Sequence, residues 1–403
     1  MSTPFRNATI PISPFKISHT QQEVDNLRTL LRLSPLGPTT YENGPSRPTN
    51  FGISMSQMTS LRSEWLKYDW FATQDQLNEK YPQFIAKLDD VCPKSNTSRT
   101  LDIHFIGYES ASPDAIPVLL LHGWPGMGCF ELAPMVEHLQ KISKQPLNII
   151  VPSLPGFLYS SPPPTDIDFD FDAVARVMHN FMLGLGYKSG YATQVNFMML
   201  KLDTPALVST PLQSATDKSF VDRYIKFQKT GMGYALEHGT RPSTIGFTVA
   251  ASPLSLAAWI GEKITDSFHP PIPTPTLLQW LTLFYLTSSF PTSIYLYRHL
   301  PSMGDYTTSP TAKEAADFSK PLKGLGVGGN GQGNGNGKKI GYSTFPGEIF
   351  PVPKVWAEKT GDLVFYRLNE KGGHFAGLEV PELLAKDFAE FLEIAWPGQG
   401  SKL

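Results

Sequence analysis

The feature that most constrains the fold is a run of apolar residues, Ile116 to Leu121, that ends at His122-Gly123-Trp124-Pro125-Gly126. A strand that is apolar on both faces needs covering layers above and below, which is typical of the centre of a parallel sheet. A helix is predicted after it, from Phe130 to Ile142, and then a second strand from Leu147 to Val151. This alternation indicates an α/β protein with a doubly wound, mostly parallel sheet.

Changes in residue pattern divide the 403 residues into six segments. Helical spacing in Glu23–Leu33 and Met55–Trp70 predicts an N-terminal arm, and aromatic, helical sequence after Asp203 predicts a lid inserted in the sheet domain. The expected segments are the arm (residues 1–100), a first part of the sheet domain (101–202), the lid (203–320), a Gly- and Asn-rich loop (321–340), a second part of the sheet domain (341–398) and a tail (399–403).

Composition excludes several classes of protein. The 34 basic residues are balanced by 36 acidic ones, and no basic stripe with interleaved aromatics suggests nucleic-acid binding. Cys92 and Cys129 are far apart in sequence, so neither a disulfide framework nor a zinc site is expected. The longest apolar stretch, Leu277 to Phe290, is interrupted by polar residues and predicts a buried helix in a soluble protein.

Two segments resemble ligand-binding motifs, but the predicted secondary structure around them does not favour binding. Gly324 to Gly337 contains G-x-G spacings without a strand-to-helix transition, so we expect a surface loop and no dinucleotide site. Asp166-Ile167-Asp168-Phe169-Asp170 resembles a metal-binding cluster, but it lies in a predicted loop before a helix. A solvated face is the better interpretation, and no metal site is expected.

The chain ends in Ser401-Lys402-Leu403. A terminal Ser-Lys-Leu is the address that the peroxisomal import receptor reads, and the flexible Gly398-Gln399-Gly400 before it would leave it accessible. A chance ending is the alternative. We therefore expect a peroxisomal protein, with the cytoplasm as the other possibility.

Three groups of motifs, in this order along nearly the whole chain, resemble the microsomal-type epoxide hydrolases, a branch of the α/β-hydrolase fold with an N-terminal helical arm. They are His122-Gly123-Trp124-Pro125 with Pro152 to Phe157, Tyr234 to Pro242 with Ser252-Pro253 and Trp259, and Phe345-Pro346-Gly347-Glu348 with Glu370 to Ala376. The resemblance implies that an aspartate attacks the epoxide and forms an ester with the enzyme. A histidine, oriented by an acid, then activates the water that cleaves this ester, and no cofactor is needed.

His374 and Glu348 match the family's general base and orienting acid. His374 follows a Gly-Gly pair that allows a sharp turn after a strand, and Glu348 precedes it in the chain, as the acid does in this fold. A structural histidine and a solvated loop glutamate are the alternatives.

The resemblance also gives roles to aromatic residues. Tyr297 and Tyr234 match the two lid tyrosines that donate hydrogen bonds to the epoxide oxygen, although lid packing is the alternative and Tyr295 is a confusable neighbour. Trp124 stands where the family places a backbone N–H of the oxyanion hole. His122 beside it is expected to hold the turn.

The nucleophile itself is missing from the expected position. The family's elbow should read like Gly-Gly-Asp-x-Gly directly after the strand that ends at Gln194, but Gln194 runs straight into Val195 to Met198, which resemble the strand after the elbow helix. Two parallel strands need a crossover of at least ~10–12 residues, so the sheet must skip a strand, fuse two strands or lose order there. Asp203 is an unconvincing substitute because no small-residue elbow surrounds it.

Three functions are compatible with this sequence to different degrees. The first is an epoxide hydrolase that is impaired, or whose sequence record omits a coding segment at Gln194–Val195. The second is a binding protein for apolar ligands that retains the pocket and lid without catalysis. The third, another α/β-hydrolase chemistry such as ester hydrolysis, is weak because no G-x-S-x-G occurs in the chain.

Overall fold

The sheet is built around the apolar strands that the sequence predicts. The computed structural model describes residues 4–46, 51–93, 96–187, 193–196, 211–267, 271–300 and 339–396. The strands are β1 (Ile12–Phe15), β2 (Gln83–Val91), β3 (Ser98–Tyr108), β4 (Ile116–Leu119), β5 (Leu147–Pro152), β6 (Thr193–Val195), β7 (Lys339–Thr344) and β8 (Asp362–Leu368).

The helices flank the sheet and form the lid. They are α1 (Gln21–Leu33), α2 (Met55–Lys67), α3 (Trp70–Lys80), α4 (Ala133–Ile142), α5 (Phe171–Gly184), α6 (Ala215–Thr230), α7 (Gly233–Thr240), α8 (Pro242–Ala250), α9 (Pro253–Ser267), α10 (Thr274–Leu286), α11 (Ser289–Ser293), α12 (Lys354–Ala357), α13 (Ala376–Glu379) and α14 (Pro381–Ala395). Short 3-10 helices are formed by Gly128–Phe130 and Tyr295–His299. The predicted bounds of α14 are confirmed.

The strands form two sheets, with the orders β1-β2-β3-β5-β4 and β6-β7-β8. The pairs β4–β5, β6–β7 and β7–β8 are parallel, whereas β1–β2, β2–β3 and β3–β5 are antiparallel. The expectation of a mostly parallel sheet therefore holds for the pairs among β4 to β8, whereas the pairs that involve β1, β2 and β3 are antiparallel. The helices that pack on these strands, α4 on β5, α5 on β2 and α14 on β7 and β8, agree with an α/β architecture.

The N-terminal arm is not purely helical, which corrects the prediction for residues 1–100. Strand β2 pairs with β3 along its whole length, and β1 extends the same sheet. Phe84, Ala86 and Leu88 are buried and alternate with more exposed neighbours, which is the period of a half-buried strand. The predicted helix Met55–Trp70 ends earlier, at Lys67, and Trp70 begins the next helix, α3, which Asp69 caps by accepting the Ala72 N–H.

The arm packs against the lid through its helices. Helix α1 begins with a capping box between Thr20 and Glu23, and it buries Val24, Leu27 and Leu31 at helical spacing. Helices α1 and α2 contact α9 and α10 of the lid. The arm therefore contacts the lid through its helices and the sheet domain through its strands.

The junction at Gln194–Val195 is a single short strand. β6 spans the junction and pairs in parallel with β7. Of the two strands expected on either side of the elbow, only residues 193–196 belong to the described part of the chain. Among the residues that the structure describes, no strand joins the edge of β4 to the edge of β6. Leu121, just after β4, is 41% exposed.

In the described parts of the chain, no single helix is both long and apolar enough to cross a membrane. The pair Pro242–Ala250 and Pro253–Thr265 passes the length and composition test only when taken together, and it is bent by 115°.

A buried hydrogen bond between arm and lid gives a stability prediction. The Trp65 indole N–H donates to Thr282 Oγ1 at 2.8 Å, and this hydroxyl donates to the Leu278 carbonyl at 2.6 Å. Thr282→Val keeps the shape of the side chain but leaves the indole N–H without an acceptor. We expect urea titrations to show a free energy of unfolding lower by roughly 1–3 kcal/mol.

Thr248 offers a matched control, because its exposed hydroxyl makes the same bond to a carbonyl four residues earlier. Thr248→Val should change the free energy of unfolding by less than about 0.5 kcal/mol. An equal decrease in the free energy of unfolding in the two variants would show that the Trp65–Thr282 hydrogen bond does not contribute to stability.

Candidate active site

The loops that follow β7 and β8 meet beyond the ends of these two parallel strands. Gly347 and Gly373 form a bridge, and the Gly347 N–H donates to the Gly372 carbonyl at 2.8 Å. Glu348 and His374 are the next residues of these loops, and His374 Nδ1 lies 2.8 Å from Glu348 Oε1. The structure therefore brings together the residues predicted as orienting acid and general base.

Gly372 makes the turn before His374 possible. Its φ is +105°, and a Cβ at this position would lie 2.5 Å from Val380 Cγ2 and 2.9 Å from a ring carbon of Phe345. Both the backbone conformation and the space thus require glycine. This agrees with the sharp turn that the Gly-Gly pair predicts.

Glu348 is fully buried and shares Oε1 between two donors. This oxygen faces His374 Nδ1 and also accepts the Phe350 N–H at 3.1 Å. A carboxylate accepts the proton on Nδ1, which leaves Nε2 of a neutral His374 as the basic nitrogen. The general-base role of His374 stays a prediction, but its tautomer suits that role.

Carboxylates surround the His374 imidazole. Burial by itself lowers the pKa of His374, and the charge and hydrogen bond of Glu348, together with the charges of Glu131 and Glu379, outweigh burial and raise it above its ordinary value. The raised pKa makes the ring a stronger base toward a proton of water.

The two predicted tyrosine donors lie together. Tyr234 is on α7, Tyr297 is on the 3-10 helix Tyr295–His299, and their ring centroids are 5.8 Å apart. Burial raises the pKa of Tyr234 to about 12, a hydrogen bond with the Tyr297 hydroxyl opposes this, and burial also raises the pKa of Tyr297. Both hydroxyls are protonated at neutral pH and can donate. Tyr295 instead packs against Phe169, so it is not part of this pair.

Trp124 joins the tyrosine pair through its side chain. Its indole stacks on the Tyr234 ring with 5.5 Å between centroids, meets the Tyr297 ring edge-on at 5.4 Å, and donates to Ser293 Oγ at 3.2 Å. The predicted role of its backbone N–H in an oxyanion hole remains a prediction. The indole therefore has a packing function that the motif did not indicate.

The tyrosine pair and the acid–base pair belong to one site. Phe350, whose N–H donates to Glu348, lies in one apolar cluster with Tyr234 and Tyr297. The charge of Glu348 also contributes to the raised pKa of Tyr234. The resulting arrangement has hydrogen-bond donors on the lid and a general base on the sheet domain.

His122 holds the turn, as expected. Its Nδ1 lies 2.9 Å from the Gly123 carbonyl, and its Nε2 accepts the Leu154 N–H at 2.9 Å. Burial lowers the pKa of His122 to about 4, so the ring is neutral and can make both bonds. It joins the loop after β4 to the loop after β5.

The aspartate cluster is solvated at Asp166 and Asp168, as expected, whereas Asp170 is buried, and all three carboxylates have a structural partner. Asp166 pairs with Arg99 at 2.7 Å, and the Asp170 side chain caps α5. Asp168 Oδ1 lies 2.6 Å from Arg298 and 3.1 Å from His299 Nε2, so it anchors the 3-10 helix that carries Tyr297. Within the described ranges, no group of His, Cys, Asp and Glu could hold a metal ion.

The junction residues lie next to His374. The Asn196 amide donates to the His374 carbonyl at 3.2 Å, and the Gln194 amide donates to Ser343 Oγ of β7 at 2.7 Å. Residues 193–196 include no carboxylate. Asp203, the Gly324–Gly337 segment and the Ser401-Lys402-Leu403 tail lie outside the described residues.

Two buried residues near the site were missed by sequence reasoning. Glu131 lies five residues beyond Gly126, and burial raises the pKa of its carboxyl to about 8, against the charge of His374 and a hydrogen bond from the Met127 N–H. His238 is fully buried between aromatic rings. Its position four residues after Tyr234, on the same face of a helix, was the available signal.

Glu131 makes stability depend on pH. Its folded-state pKa, about 8, is above the unfolded value, so its protonated form contributes stability at low pH that is lost as pH rises through about 8. Glu131→Gln should therefore raise the free energy of unfolding by roughly 1–3 kcal/mol more at pH 9 than at pH 5. Glu64→Gln, which changes an exposed glutamate, is the control. Equal effects at both pH values would contradict the assignment.

Two family models match this chain. The model described as epoxide hydrolase N terminus matches residues 12–129, and the model described as alpha/beta hydrolase fold matches residues 116–192. The sheet, helices and site loops described above agree with both.

Relatives match over nearly the full length. A putative epoxide hydrolase of Dothistroma septosporum is 33% identical, with 98% of this chain and 93% of the relative covered, and Epoxide hydrolase 1 of Sus scrofa is 26% identical, with 94% and 88% covered. The structure of Aspergillus niger epoxide hydrolase superimposes with a TM-score of 0.81 at 35% identity, covering 97% of this chain and 98% of the other. This chain is therefore a member of the epoxide hydrolase family with the α/β-hydrolase fold.

Proposed function

We propose that this chain is built to convert epoxides to vicinal diols, and that the first chemical step is impaired in the sequence as it stands. The observation that carries the proposal is the His374–Glu348 pair at 2.8 Å beside two adjoining tyrosine hydroxyls. A general base next to two neutral donors suits a reaction in which a ring oxygen gains negative charge and water is then activated.

Tyr234 and Tyr297 serve the opening of the epoxide ring. When a nucleophile attacks the epoxide carbon, the carbon–oxygen bond breaks and the oxygen becomes an alkoxide. Two hydroxyls that remain protonated at neutral pH donate hydrogen bonds to this oxygen, and one proton is transferred to it.

His374 serves the second step, hydrolysis of the ester. Nε2 takes a proton from water as the water oxygen attacks the ester carbonyl, and Glu348 stabilises the imidazolium that forms. The Trp124 N–H is proposed to donate to the oxyanion of the tetrahedral intermediate. As this intermediate collapses, the imidazolium gives its proton to the leaving alkoxide of the diol, and the proton left on the carboxyl group returns to the tyrosinate, which regenerates the carboxylate.

The first step needs a carboxylate at the junction, and three observations support its loss. Residues 193–196 include no carboxylate, and the match to the α/β-hydrolase model ends at residue 192. The alignment with the Dothistroma relative runs over 425 positions, more than the 403 residues of this chain, so this chain has gaps relative to that protein. Without the nucleophile, binding of apolar epoxides without turnover is the second candidate function.

Restoring the elbow tests this proposal. We expect the native chain to form diol from an aromatic epoxide such as styrene oxide at least about 10³-fold more slowly than a chimera with the elbow-helix-strand segment of the Aspergillus niger relative between Gln194 and Val195. The matched control is the same chimera with its elbow aspartate changed to asparagine. Circular dichroism checks folding in each case.

If the native protein converts the epoxide and loses this activity on His374→Gln, it must contain another nucleophile. The proposed impairment of the first step would then be wrong. A well-folded native protein that binds the epoxide without turnover would support the binding function. A folded aspartate chimera without turnover would count against epoxide hydrolysis itself.

The substrate is proposed to be a bulky, apolar epoxide of the stilbene-oxide or lipid type. Trp124, Tyr234, Tyr297 and Trp259 surround His238 with aromatic rings on the donor side of the site. We expect the aspartate chimera to have a kcat/KM at least about tenfold higher for cis-stilbene oxide than for glycidol, since each additional buried methylene contributes about 0.8 kcal/mol. Equal or reversed preference would contradict this substrate class.

A peroxisomal location, read by the import receptor from Ser401-Lys402-Leu403, stays a prediction.

A further inference from the structure

His238 is a buried imidazole whose tautomer is determined by one neighbour. The Trp259 indole N–H lies 2.9 Å from His238 Nε2. An indole nitrogen can only donate, so Nε2 must accept and carries no proton.

The ring is also neutral. Burial lowers the pKa of His238 to about 3, and the nearby ammonium group of Lys263 acts in the same direction. A neutral imidazole with an unprotonated Nε2 has its one proton on Nδ1. His238 is therefore fixed as a hydrogen-bond donor through Nδ1.

This donor is unsatisfied. Nδ1 is buried, and no acceptor lies within hydrogen-bonding distance among the residues that the structure describes. A buried donor without an acceptor costs free energy and calls for an explanation. Here the explanation lies in its surroundings: the His238 ring meets Trp124 at 4.5 Å, Tyr297 at 4.7 Å and Tyr234 at 5.6 Å, all edge-to-face.

We propose that His238 is a third hydrogen-bond donor of the oxygen-binding site, giving its Nδ1–H to the acceptor oxygen of a ligand held by Tyr234 and Tyr297. Trp259 is then a positioning residue that keeps the proton on Nδ1. The inference rests on the proposed function for the location of the ligand oxygen, but it requires no turnover. An N–H directed at an aromatic face is the competing account.

The tautomer is tested in the native protein by two-dimensional ¹⁵N–¹H NMR of histidine-labelled samples. The His238 signal, assigned with His238→Gln, should show a protonated Nδ1 and an unprotonated Nε2. Trp259→Phe should release the constraint and populate the other tautomer. A native ring with its proton on Nε2, or a charged ring at pH 7, would overturn the proposal.

Ligand contact is tested with acetophenone, an unreactive aromatic ketone, and with ethylbenzene, which has a similar shape but no acceptor oxygen. Acetophenone should shift the His238 Nδ1 resonance, and ethylbenzene should shift it much less. His238→Leu should weaken acetophenone binding about three- to tenfold, measured by tryptophan fluorescence, with little effect on ethylbenzene. His238→Gln, which keeps an acceptor for Trp259 and a donor, should recover most of the loss.

An unchanged Nδ1 resonance in the acetophenone complex, or equal loss of both ligands in His238→Leu, would assign His238 to packing and overturn the proposal. Native protein that binds no acetophenone would do the same. If the restored chimera fails to convert epoxides while the native protein still binds acetophenone and shows the Nδ1 shift, the proposed epoxide hydrolysis would be contradicted. The role of His238 as a donor would stand.

Discussion

The parallel pairing of β7 and β8 is the constraint on which the chemistry of this molecule depends. Because the two strands run in the same direction, their loops leave the sheet at one edge, where Gly347 and Gly373 bridge. Glu348 and His374 follow immediately, so backbone pairing fixes the separation of the acid and the base. This half of the site is thus a direct extension of the sheet.

The same sheet explains why the junction at Gln194–Val195 matters. β6 adds a third parallel strand beside β7, but the described strands leave an unpaired edge on β4 and another on β6. Ligands of doubly wound sheets bind beyond the strand ends where the strand order reverses, next to such a central position. The predicted nucleophile belongs on that strand, so the proposed loss of the elbow would affect chemistry and sheet continuity together.

The donor half of the site depends on contacts between the lid and the sheet domain. In the segment from α11 to the 3-10 helix, the hydroxyls of Ser289 and Ser293 accept hydrogen bonds from the sheet domain. Asp168 of the sheet domain pairs with Arg298 and His299 of the same segment. Tyr297 is therefore fixed to the sheet domain, while Tyr234 and His238 reach it from α7. The buried aromatic cluster with Trp124 joins the two, and His238 contributes a donor whose direction Trp259 decides.

The sequence by itself determined the fold class and the family, because motif order and apolar period are local properties. It also predicted the order of sheet domain and lid, the candidates His374, Glu348, Tyr234 and Tyr297, and a break at Gln194–Val195. Only the tertiary structure decided that β1 and β2 join the sheet, since strand pairing is made between distant segments. It also revealed the paired state of Asp168 and the burial of Glu131 and His238. Charge state and tautomer depend on which groups surround a side chain in space, and residues distant in sequence supply those groups.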